Sequence, residues 1–149
     1  MAASRGHYTN CFVKMVRTIG IKSRIQGMSR NKIVFCQDEI EGLTFINIGL
    51  EFAKCIQDLH TSSEYASEAK HFFEQTLTSD IIGSYLAITN ISILFEPQLK
   101  LDLRQLIGSL SINKCLFIQK EGEIKDDKFY LMGDNHFSID LQGLSYIEI

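Results

Sequence analysis

Residues 85–100 constrain this chain more than any other stretch. Leu86, Ala87 and Ile88 belong to a nearly unbroken apolar run from Ile81, of the kind a parallel sheet buries on both faces. The run closes on a polar pair, Thr89 and Asn90, and a hydrophobic step through Ile91, Ile93, Leu94 and Phe95 follows. Pro97, the only proline, then stands where a helix starts. A buried strand with a polar tip that hands over to a helix is the repeating unit of an α/β domain.

Composition narrows the class. At 149 residues the chain is long enough for one domain with a real core, and 1–149 reads as a single unit. Net charge is −3 with acids and bases interspersed, so no strong field gathers nucleic acid. Whether nucleic acid is touched stays open. No apolar run approaches the roughly 18 residues of a membrane span, and residues 1–10 lack the apolar heart of an export signal. The expectation is a cytoplasmic protein with no membrane partner. Cys11, Cys36, Cys55 and Cys115 stand singly in apolar surroundings, as buried reduced thiols do. Neither they nor the histidines have the spacing of a metal site, so no metal is expected.

From residue 43 onward the order of elements is legible. Residues 43–48 are short and rich in β-formers, hence a strand; 49–59 follow as a helix with Leu50, Ala53, Ile56 and Leu59 inward. Ser62 and Ser63 offer N-cap chemistry to a second helix in which Tyr65, Ala69, Phe72, Phe73, Thr76 and Leu77 lie at helical spacing. Residues 81–89 form the central strand, 98–110 a helix with Leu99, Leu103, Leu106, Ile107 and Leu110 inward, and 114–119 another buried strand. Two short strands then flank an Asp126-Asp127 turn, and 144–149 alternate as an edge strand does. The expected class is α/β, a three-layer domain with a mostly parallel sheet and a C-terminal β-hairpin.

The first 42 residues admit two threadings. One makes 11–16 the first strand and 23–41 a helix, with Ile25, Met28, Ile33, Cys36 and Ile40 inward. The other makes 32–36, Lys-Ile-Val-Phe-Cys, the first strand.

Three further pieces surround the central stretch: Phe45-Ile46-Asn47-Ile48-Gly49-Leu50-Glu51, the run from Leu106 through Ser109 to Lys114, and Met132-Gly133-Asp134-Asn135-His136. With residues 89–100 they mark out the interval from Thr44 to His136, about two thirds of the chain. In these pieces the chain resembles the small P-loop ATPase-like component of bacterial BREX phage-exclusion systems. The resemblance implies a P-loop NTPase-like fold, ATP as the cofactor, and partners among the other proteins of a defence complex. It also implies a phosphate loop after the first strand, and residues 16–23 come nearest. There Lys22 and Ser23 take the lysine and hydroxyl places, while Val16 and Ile21 replace both glycines.

Those glycines matter physically, because a phosphate cradle turns its backbone N–H groups inward through conformations that β-branched residues avoid. The family pattern also has a magnesium-associated aspartate where Thr89 stands, with Asn90 beside it. A hydroxyl carries no charge to hold the cation. Lys22, Ser23, Thr89 and Asn90 are therefore the candidate nucleotide-binding residues of a degenerate site, with no catalytic residue and no cofactor assigned, ATP being the one candidate. The expected function is a defence-complex component that works through protein contacts. Two alternatives stand beside it: an ATP- or GTP-binding NTPase with a noncanonical loop, and an acidic inhibitor or immunity-type protein. Asp38, Glu39, Glu41 and Glu51 read as a solvated face, Asp126 and Asp127 as turn formers, His60 and His71 as surface residues, and His136 as structural.

Overall fold

The structure is a computed structural model that describes residues 19–28, 30–132 and 137–149. Helix α1 covers 19–26, strand β1 is Ile33–Cys36 and strand β2 is Phe45–Asn47. Helices α2 (Ile48–Ile56) and α3 (Ser62–Phe73) follow, then β3 (Leu77–Ser79) and β4 (Gly83–Thr89). Two 3₁₀ turns, Ile91–Phe95 and Pro97–Leu99, lead to α4 (Leu103–Leu110) and β5 (Cys115–Gln119). The hairpin β6 (Gly122–Lys125) and β7 (Lys128–Leu131) comes next, and β8 (Ser138–Asp140) and β9 (Tyr146–Glu148) finish the chain.

The main sheet runs β2-β4-β5-β1-β9 with every one of these neighbours parallel. Strand β3 pairs antiparallel with the start of β4, on the edge that β2 takes further along. The expected α/β class, largely parallel sheet, C-terminal hairpin and edge strand are present. Asp126 and Asp127 form the hairpin turn at φ of 52° and 57°, the left-handed conformations that a two-residue turn needs. Strand β8 adds to β7, which gives a small three-stranded antiparallel sheet.

The sheet divides the core. On one face Ile33, Phe35, Leu86, Ile88, Leu116 and Ile118 pack under α2, α3 and α4. The small sheet joins them through Phe129, whose ring stacks on Phe35 with centroids 5.8 Å apart. On the other face Val34, Cys36, Tyr85, Ala87 and Phe117 meet Ile21 and Ile25 of α1, and Ile40 from the loop after β1. These strands are buried on both faces, so they show no alternation of polar and apolar residues.

Several expectations need correction. Among the described residues the first strand is β1, so the helix expected over 23–41 stops at residue 26, the end of α1; the strand proposed at 11–16 lies outside the described residues. The central strand starts at Gly83, not 81, because the Ser79 hydroxyl accepts from the N–H groups of Ile81 and Ile82 and Gly83 turns the chain at φ 89°. The single helix over 98–110 is split. Lys100 takes a left-handed conformation and Asp102 caps α4 by accepting from Gln105 N at 3.1 Å. Helix α3 is capped by Thr61, not by Ser62 or Ser63, and it ends at Phe73, so Leu77 belongs to β3 and not to the helix. In α2 the buried face is Ile48 and Phe52, while Leu50 is 53% exposed. Cys55 is also exposed, because it lies on the solvent side of that helix.

At the far end of α3 a buried lysine closes the helix. Lys114 is 7% exposed and its ammonium donates to the carbonyls of Phe73 and Gln75, both at 2.6 Å, and to Thr76 Oγ1 at 3.3 Å. A cation is favoured there because the last carbonyls of a helix have no partner within it.

Candidate functional site

In a parallel sheet all strands deliver their carboxyl ends to one rim, and ligands of such folds sit where successive connections leave in opposite directions. Here the chain leaves β1 toward β2 at one margin, and leaves β5 on its way to β9 at the other. The crevice therefore belongs between the carboxyl ends of β5 and β1. Gln119 lies across it. Its Nε2 donates to the carbonyl of Gln37 at 3.1 Å, and its Oε1 accepts a short bond from the Thr89 hydroxyl. The backbone adds Lys120 N to Cys36 O at 2.9 Å. Lys120, next to Gln119 in the chain, is paired with Glu148 at 2.6 Å.

The second half of the rim is as fully engaged. Asn90 sits in the left-handed region at φ 58°, which asparagine tolerates better than most residues. Its amide donates to Asn47 Oδ1 at 3.0 Å, and the same oxygen caps α2 by accepting from Leu50 N. Gly49 makes this possible: a Cβ there would stand 2.1 Å from Asn90 Nδ2. Beyond the tip, Ile91 N donates to the Glu121 carboxylate at 3.0 Å. Thr89 and Asn90 are thus brought together at one strand tip. Lys22 and Ser23 lie elsewhere, inside α1, which precedes β1. Residues 19–23 of the expected phosphate loop are helical and residues 16–18 are outside the described part. Among the described residues, no hydrogen bond or ion pair ties Lys22 or Ser23 to Thr89 or Asn90.

The loop that follows β1, the first strand among the described residues, spans 37–44, Gln-Asp-Glu-Ile-Glu-Gly-Leu-Thr. Its spacing is that of G-x-x-x-x-G-K-[S/T], with Gly42 and Thr44 in place but Gln37 for the first glycine and Leu43 for the lysine. Asp38, Glu39 and Glu41 are exposed along it and Ile40 is buried under it. Gly42 takes φ 91°, and Tyr85 OH accepts from Thr44 N at 2.9 Å. The loop then enters β2 directly, so no helix begins there to direct a positive dipole end and open N–H groups at an anion. Sequence reading alone missed Asn47, Gly49 and Gln119. The Gly42–Thr44 spacing was the one available signal.

Among the described residues the thiols Cys36, Cys55 and Cys115 do not form a reactive centre, and Cys11 lies outside them. Burial pushes Cys115 up to about 12, against a smaller pull from Lys32. Cys36 is buried and donates to Ile118 O at 3.6 Å. Cys55 is raised by desolvation first, then by the charge and hydrogen bond of Glu68 and by Glu51. Such a thiol is a poor nucleophile at neutral pH. His60 and His71 are exposed, as expected, and His136 lies outside the described residues. Among the described residues no group of three His, Cys, Asp or Glu side chains is placed to hold a metal ion.

Fold and rim together define an α/β protein with a mostly parallel central sheet, a small antiparallel sheet packed on one face, and a carboxyl rim whose polar side chains bond to one another. Comparison with known protein families, with curated proteins and with solved structures finds no match for this chain. Among the described residues no helix is long and apolar enough to cross a membrane.

Proposed function

We propose that this chain is a degenerate P-loop domain that serves a BREX-like phage-defence complex through protein contacts, without nucleotide turnover. One observation carries the reading. The loop after β1 keeps the spacing of a phosphate loop while three carboxylates, a leucine in the lysine place and a strand in place of the helix remove its chemistry. A triphosphate brought there meets like charge. The magnesium end is changed in the same sense, since Thr89 donates its hydroxyl to Gln119. Support for the family comes from the way two of its resembling segments meet, Asn47 and Gly49 of the first against Asn90 of the second.

The exposed Asp38, Glu39 and Glu41 favour a second reading, an acidic binding protein that blunts a basic partner. Co-purification separates the two: defence components support the first, a toxin or nuclease the second. The nucleotide claim is tested by thermal unfolding with ATP and magnesium. Ligand at about 100 times its Kd stabilises a fold by about 2.7 kcal/mol. We expect no shift in Tm and no phosphate release; a shift or turnover abolished by Lys22→Ala or Thr44→Ala contradicts the proposal.

A further inference from the structure

Strand β2 ends the main sheet among the described residues, paired with β4 on one side only. Because backbone groups alternate in direction along a strand, β2 turns N–H and C=O groups outward. Its Ile46 is half-buried on the helix-covered face and Phe45 on the other, so each has apolar surface left to cover.

Beside this edge, on the Ile46 side, a cavity of about 560 Å³ opens between β2, α2 and α3. Glu51, Cys55, Glu68 and His71 line it together with Phe45 and Ile46. Two carboxylates from different helices converge there: both Glu68 and Glu51 act on the Cys55 thiol, after the larger effect of burial. Lys54 stands 3.8 Å from Glu51 with 63% of its side chain exposed, which neutralises little in water. The edge thus offers backbone bonds, apolar surface on Phe45 and Ile46, and negative charge from Glu51 and Glu68 beside it.

We propose that the β2 edge is a docking site for an extended segment of a partner protein, which adds as a strand and places lysine or arginine side chains in the Glu51–Glu68 groove. Its alternate residues are apolar and cover Phe45. Strand addition supplies affinity through the main chain, and the groove supplies selectivity through charge. This rests on the reading of the chain as a protein-contact domain and names the surface that would do it.

The test uses the full chain, ¹⁵N-labelled, titrated with a short alternating Val-Lys peptide and observed through backbone amide shifts. Expected are shifts centred on Phe45, Ile46, Asn47, Glu51 and Glu68. A Val-Glu peptide should give none, and methylating alternate peptide nitrogens should abolish the effect. The E51Q/E68Q double variant should show several-fold weaker binding at low salt, with the difference shrinking as salt rises. No shifts with Val-Lys, shifts centred elsewhere, or binding that survives N-methylation overturns the docking site. None of these outcomes bears on ATP, so failure here is distinguishable from failure of the nucleotide reading.

Discussion

The carboxyl rim and the β2 edge share a residue, Asn47, and are opposite in character. At the rim, side chains that ligand-binding folds leave open are bonded to each other: Thr89 to Gln119, Gln119 to Gln37, Asn90 to Asn47, Lys120 to Glu148. At the edge, backbone groups and two carboxylates face outward beside a cavity. A polar group satisfied within the chain must lose that bond before it can serve a ligand, whereas an open edge loses only water. Internal stability is therefore concentrated at the rim and capacity for contact at the edge.

Substitutions can break or sharpen this contrast. The reference point is a buried polar group away from both regions. Lys114→Met removes all three bonds at the end of α3 and leaves the Phe73 and Gln75 carbonyls without that donor. A loss of about 2 kcal/mol or more is expected in urea unfolding. At the rim, Gln119→Leu keeps the volume and deletes both bridging bonds, for an expected loss of about 1 kcal/mol. No loss at all would mean that the rim network contributes nothing and the crevice is free.

A pH prediction concerns the bond that ties the hairpin turn to β9. Tyr146 donates to Asp127 Oδ1 at 2.6 Å, and that bond, with burial and the charges of Asp127 and Glu148, pushes the phenol from 10.0 up to about 12. A raised phenol pKa means that the folded chain holds its proton longer than the unfolded one. The contribution is complete below pH 10 and fades as pH climbs toward 12. Spectroscopic titration should find Tyr146 ionising late and brought earlier by Asp127→Asn; no such change on that substitution would contradict the bond. The smallest effect belongs to the edge. E51Q/E68Q should change stability by less than about 0.5 kcal/mol, because the groove charges serve no internal partner of consequence.

Much of the fold was legible in the sequence, since buried strands, capped helices and the Asp126-Asp127 turn are dictated locally. The first 42 residues were harder for a physical reason. Ile25, Met28, Ile33, Cys36 and Ile40 fall at helical spacing, yet the buried strand Ile33–Cys36 has no alternation to betray it. The rim was half legible. Thr89 and Asn90 announce a polar strand tip, but their partners Gln119 and Asn47 lie 30 and 43 residues away in sequence and are joined to them only by folding. Leu50 misled because two faces of a short helix can both look apolar, and Phe52 took the inner one.

The central claim is that the strand tips and the loop over 37–44 hold no triphosphate–magnesium pair. Its most direct test is an amide-resolved titration with ATP and magnesium, observing residues 37–44, Thr89, Asn90, and Lys22 and Ser23 in α1. The account predicts that these amides stay still at millimolar nucleotide. Saturable shifts at Gly42, Leu43 and Thr44 that require magnesium would contradict it.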